Sequence, residues 1–103
     1  MGKGKVAAQV GHASVQAFLN AGVSHPLEVE AWLASGQKKI CVKAPDETMF
    51  RQLRRLAAER GIAHHLVRDA GHTQLPSGSP TVLALGPAGE STLDELTGHL
   101  KLL

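Results

Sequence analysis

Three short runs with strand character constrain this chain most: KKICVKA (38–44), IAHHLVR (62–68) and SPTVLALG (79–86). Each is too short for a buried helix and carries β-branched residues that suit a pleated surface. The stretches between them follow the helical period instead. From 5 to 21 the apolar residues Val6, Val10, Ala13, Ala17 and Phe18 share a stripe, and Gly22 is the expected stop. A second helix is expected over 26–35, with Pro26 in its first turn and Gly36 just past its end. Asp46 is placed to cap a third helix that Gly61 ends, with an apolar stripe of Met49, Phe50, Leu53, Leu56 and Ala57. A fourth spans about 90–97, and the tail HLKLL adds extended structure. Pro80 is tolerated only near the start of its strand. The order helix, helix, strand, helix, strand, strand, helix is that of an α/β domain whose helices cover a small sheet.

The 103 residues suit one domain, 1–103. Aromatic residues are 3% of the chain, which argues against the base-stacking platforms of single-strand RNA binders. The core has to come from Leu, Val, Ile and Ala. Cys41 is the only cysteine, so an internal disulfide and a cysteine metal cluster are both excluded, and its apolar setting reads as packing. The six histidines form no metal-binding spacing; His64 and His65 are adjacent in a strand and point to opposite faces. No apolar run approaches a membrane span and no signal peptide is visible, so the expected compartment is the cytoplasm and no membrane partner is expected. The first 60 residues hold nine Lys/Arg against five Asp/Glu, whereas the rest hold two against four. A basic first half suits a polyanion, although an ordinary solvated surface has the same look.

Two stretches have the composition of a site. MGKGK (1–5) sets Lys3 and Lys5 among glycines at the head of a helix, where anions are favoured. It lacks the spacing of a phosphate-binding P-loop and of a dinucleotide fingerprint, and a frayed terminus is the plain alternative. His12 follows further along the same helix, either as a neighbour of that site or as an ordinary helix residue. The second stretch is the connection 69–80, rich in Gly, Pro, Ser and Thr. Connections of that length in compact domains are often functional, although its composition is also ordinary turn chemistry. If the flanking strands pair as a hairpin, Asp69 and Thr81 lie near each other at one rim, with Thr73 and Gln74 in the loop above. No serine sits in a nucleophile elbow, so a hydrolase here would use activated water.

MGKGKVAAQVGHA (1–13), KKICVKAPDE (38–47), DAGHTQLPSGSPTVLALGP (69–87) and TGHLKLL (97–103) occur in the order and spacing of one family. The chain resembles the peptidyl-tRNA hydrolases of the second, archaeal and eukaryotic type. The resemblance implies a three-layer α/β/α fold around a small mixed sheet, four-stranded in the family, of which three strands are evident here. It implies hydrolysis of the ester joining peptide and tRNA ribose, without metal or organic cofactor and with peptidyl-tRNA as partner. It assigns catalysis to Lys5, Asp69, Thr73 and Thr81. Lys3, Gln9, His12, Gln74, Arg51, Arg54 and Arg55 are the candidates for substrate binding, with Lys38 a further contact for the tRNA backbone. A homodimer is a possible assembly. Many relatives carry Lys or Arg where this chain has His72, which makes that contact weaker and pH-dependent. They also carry an apolar strand before MGKGK, so the expectation is a sheet that lacks an inner strand or borrows one, with apolar surface exposed. A catalytically impaired RNA- or protein-binding module on the same fold is the alternative to the enzyme.

Overall fold

The computed structural model describes residues 1–69 and 78–103. Its elements are α1 (Lys3–Ser24), α2 (Pro26–Ala34), α3 (Glu47–Glu59), β1 (His64–Arg68), β2 (Pro80–Leu85) and α4 (Glu90–Thr97). β1 and β2 pair antiparallel, and helices lie on both faces of the hairpin.

The register explains the two faces. His64 faces Leu85 and Leu66 faces Leu83, while His65 faces Ala84 and Val67 faces Val82. Side chains alternate along a strand, so these pairs belong to opposite sides. Leu83 and Leu85 pack against the core of Leu53, Ala57, Ile62 and Leu96, joined by Met49, Leu56, Leu93 and Leu100. This is the layer of α3 and α4. Val67 and His65 belong to the other layer, where α1 buries Ala13, Ala17 and Ala21. Alanines four residues apart make a narrow stripe that lets the helix backbone lie close to the hairpin.

α1 outruns its expected limits at both ends. Gly22 stays inside it, and the helix stops only at His25 (φ −138°, ψ 59°). The residue before a proline is pushed out of the α region, so Pro26 sets the boundary and starts α2 in the same step. α2 is held by Trp32, which lies 6.0 Å from Phe18 of α1 and donates from Nε1 to the Lys38 carbonyl at 2.8 Å. α3 begins as expected, with the Asp46 carboxylate accepting from the Met49 N–H at 3.0 Å. It ends at Gly61, whose φ of 67° lets the chain reverse into β1.

The sheet corrects two expectations. Among the described residues it has two strands rather than three, and their pairing is antiparallel rather than mixed. Residues 38–44 make only an isolated bridge, Val42 to Leu102, with Lys43 N–H to the Lys101 carbonyl and Leu103 N–H to the Cys41 carbonyl. A strand needs a sustained ladder. Here the partner is the short chain terminus, and the Lys38 carbonyl is already taken by Trp32. The HLKLL tail supplies the extended structure expected of it, but as one bridge. Cys41, expected to pack, is exposed for the same reason, as are Met1, Ile40, Leu102 and Leu103. Met1, Cys41 and Leu103 border an apolar groove that Val6, Ala7 and Val10 of α1 complete, with Lys3 on its lining.

Candidate active site

Lys5 and Asp69 meet although 64 residues separate them. Lys5 Nζ donates to Asp69 Oδ1 at 2.9 Å. The Asp69 side chain has no exposed surface and that of Lys5 is about a quarter exposed. A buried carboxylate has to be paired or hydrogen-bonded, and a lysine that reaches it from the rim keeps its charge near solvent. The helix N-terminus adds to the positive potential, for the first turn of α1 carries Lys3 and Lys5 and no acid.

Backbone geometry fixes Asp69. Its N–H donates to the Ser79 carbonyl at 2.8 Å, and its carbonyl accepts from the Gly78 N–H at 2.9 Å. Arg68 Nη1 donates to the Gly78 carbonyl at 2.9 Å beside them. The hairpin is therefore closed at Asp69, just before the loop leaves the sheet. Asp69 faces Ser79 rather than Thr81. The ladder slips between Val67 and Arg68, since Val67 pairs with Val82 but Arg68 with Pro80. Proline has no N–H for the ladder, and the extra residue this leaves on β2 is Thr81. Its hydroxyl donates to the Val67 carbonyl at 3.2 Å. The bulge thus holds Thr81 at the same rim as Asp69, as the hairpin reading expected, though not across from it.

The other site candidates fall in three places. Lys3, Gln9 and His12 lie along α1; Lys3 and His12 are exposed and Gln9 is half-buried. Arg51, Arg54 and Arg55 are exposed on α3, and Arg55 lies 4.0 Å from Glu59. Lys38 lies 3.4 Å from Glu90. Thr73 and Gln74, and His72 with them, lie outside the described residues. Among the described residues no group of three His, Cys, Asp or Glu gathers as a metal site.

One residue near the site was not among the candidates. His65 meets His12 edge-on, with ring centroids 6.2 Å apart. Burial lowers its affinity for a proton, and so do the positive charges of His12, Arg54 and His64. The period of two along a strand could have found it, because 65, 67 and 69 share one face with Asp69.

A family model described as peptidyl-tRNA hydrolase PTH2 matches residues 1–103. The chain belongs to that family. Its members hydrolyse peptidyl-tRNA. Over its whole length the chain is 47% identical to a peptidyl-tRNA hydrolase of Methanocaldococcus jannaschii, of which it covers 90%. It is 46% identical to that of Thermococcus onnurineus, of which it covers 87%. A mouse protein named peptidyl-tRNA hydrolase 2, mitochondrial, is 48% identical over 102 residues, and the chain spans 56% of its length.

Proposed function

We propose that this chain cleaves the peptide–ribose ester of peptidyl-tRNA with water activated at the Lys5–Asp69 rim. The observation that carries the proposal is the 2.9 Å ion pair between a fully buried carboxylate and a lysine at the head of α1. Water adds to the ester carbonyl carbon, giving a tetrahedral oxyanion. The carbon–oxygen bond to ribose then breaks, and the ribose oxygen leaves with a proton that came from the water. Asp69 orients the water and holds the Lys5 ammonium in place. Lys5 offsets the negative charge that develops on the oxyanion and then on the leaving oxygen. Thr81, whose proton is committed to Val67, has lone pairs left to accept from water or ribose hydroxyl. Thr73 is assigned the matching role from the loop.

Lys5→Ala and Asp69→Asn are expected to lower kcat/KM on peptidyl-tRNA by roughly 10²–10⁴-fold, the range of a positioned acid–base or electrostatic group. Circular dichroism checks that the fold is kept. Turnover within a few-fold of wild type in a folded Lys5→Ala variant would sink the mechanism.

The tRNA backbone is assigned to Lys3, Lys38, Arg51, Arg54 and Arg55, with Gln9, His12 and Gln74 nearer the ester. Binding through such contacts weakens as salt rises. The cytoplasm, where peptidyl-tRNA is released, is the compartment proposed for the reaction; cell fractionation tests it.

A homodimer is proposed through the outer face of α1. Residues 6–24 include no Asp, Glu, Lys or Arg, and Val15, Leu19, Val23 and the neighbouring Leu27 of α2 are all more than half exposed. A second copy packing its α1 antiparallel sets Lys3 of each chain toward the Glu28 end of the other, which complements the charges. Light scattering is expected to show a dimer that Leu19→Asp converts to monomer. A monomeric wild type at high concentration rules this assembly out.

A further inference from the structure

The inward stripe of α1 has two halves with different surroundings. Ala13, Ala17 and Ala21 carry it along the hairpin, where all three are buried. Toward the N-terminus the same stripe continues as Val10, Ala7, Val6 and Lys3, at helical spacings of three and four. There Val6 and Val10 are only half-buried and Ala7 is exposed. These residues line the apolar groove with Cys41 and Leu103, and its volume is about 440 Å³. That lies within the range of roughly 300–1,000 Å³ common to ligand sites.

Cys41 sits next to an open strand edge. Lys43 N–H donates to the Lys101 carbonyl at 2.8 Å, and Leu103 N–H to the Cys41 carbonyl at 3.0 Å. Backbone groups alternate sides along an extended chain, so the N–H and C=O of Val42 point away from that tail. Among the described residues they make no hydrogen bond, and neither do those of Ile40. An apolar slot beside an unpaired edge fits an extended peptide, whose main chain pairs with the edge while alternate side chains enter the slot. From Lys3 to Val10 is about 10 Å along the helix, the reach of about three extended residues.

We propose that this slot holds the peptide of peptidyl-tRNA in extended form, with its ester end at the N-terminus of α1 and its upstream residues paired with Val42. The inference rests on the proposed peptidyl-tRNA reading and adds to it the acyl side of the substrate. Lys3 lines the slot two residues from Lys5, so the slot reaches the end of α1 where the ester is cleaved. Among the described residues Lys3 is also the only charged side chain of the lining, and it stands at the end where the anionic tRNA joins the peptide. Peptides carried by tRNA share no sequence. A main-chain ladder holds any of them, whereas side-chain pockets select among them.

Hydrolysis is measured on two substrates: tRNA carrying N-acetylalanine, and tRNA carrying an N-acetylated tripeptide of two valines and a C-terminal alanine. Wild type is expected to show a KM roughly tenfold lower for the tripeptide, the size of two main-chain hydrogen bonds with some apolar burial, and little change in kcat. Ala7→Trp fills the slot and Val10→Thr makes its wall polar; in both, the ratio of the two KM values is expected to fall toward one. A general loss of folding or of tRNA binding affects both substrates and leaves that ratio alone. N-methylation of the valine amides is expected to remove the gain in wild type. Equal KM values in wild type, a tenfold ratio that survives both variants, or a gain that survives N-methylation each overturns the slot and leaves the peptidyl-tRNA reading standing. No turnover of either substrate removes both.

The Val42 amide reports on the unmodified protein. A tripeptidyl-tRNA with an amide in place of its ester is expected to slow hydrogen exchange at Val42, and deacylated tRNA is expected to leave it unchanged. No difference between the two overturns the proposal. Protection of Val42 in the free protein that dilution removes assigns the slot to a second copy of the chain and overturns it as well.

Discussion

The two sides of the hairpin are packed by different rules. On the side of α3 and α4 the core is Leu53, Ala57, Ile62 and Leu96 with a surround of Met and Leu side chains. α3 is strongly amphipathic, and its arginines stay on the outside. On the side of α1 the buried helix residues are three alanines, and polar groups run along the contact: Lys5 to Asp69, His12 to His65, Asn20 to the His64 carbonyl. Large side chains on one face supply apolar burial. Small ones on the other bring a helix backbone close enough for its polar side chains to reach the strand. One layer is built for stability and the other for placing charge, and each can be disturbed separately.

The sharpest way to separate the layers is to compare Lys5→Ala with Leu53→Ala. Lys5→Ala is expected to lose hydrolysis by orders of magnitude in the protein that remains folded, and to cost stability as well because it takes the ion-pair partner from a buried carboxylate. Leu53→Ala is expected to cost about 2–5 kcal/mol in urea denaturation, with near-normal kcat for the protein that remains folded. If Leu53→Ala lowered kcat as strongly as Lys5→Ala, the division between layers would be wrong.

Next is Ala17→Leu, which overfills the narrow side. A cost of about 1–3 kcal/mol is expected. Because the added bulk lifts α1 from β1, kcat should fall as well, so this variant should affect both stability and activity. Asp46→Ala removes the cap of α3 and is expected to cost about 1 kcal/mol with kcat unchanged, since α3 positions neither Lys5 nor Asp69.

The smallest effect is the pH dependence of stability from His65. Its folded pKa lies below the ordinary 6.5, so between those two values the unfolded chain holds more protons than the folded one. Stability therefore rises with pH through that window, reaches its full value above about 6.5, and declines as pH falls toward the folded value. His65→Gln should flatten this part of the curve in urea titrations at several pH values.

Much of this was legible in the sequence, and the failures have physical causes. The Asp46 cap, the α3 stripe and the antiparallel hairpin each rest on local signals: a side-chain acceptor before a helix, a period of 3.6, and turn residues between two apolar runs. Gly22 misled, because an isolated glycine inside a long alanine-rich helix costs only about 1 kcal/mol and Pro26 is the stronger stop. Residues 38–44 have strand composition, but a strand also needs neighbours, and those come from the rest of the molecule. The register at Thr81 could not be read, since one bulge changes which residues face each other. His65 was overlooked because its importance depends on which helix covers its face.

By itself the sequence determined the helices, the two paired strands, their approximate limits and the family, and it placed Lys5 at a helix start and Asp69 at a strand end. These are properties of neighbouring residues and of motifs in order. That the two side chains touch, that the aspartate is buried, and that His12 meets His65 was decided only by the tertiary structure. The reason is the alanine stripe of α1: how closely a helix approaches a strand depends on the side chains of both, and no local pattern in either one carries that information.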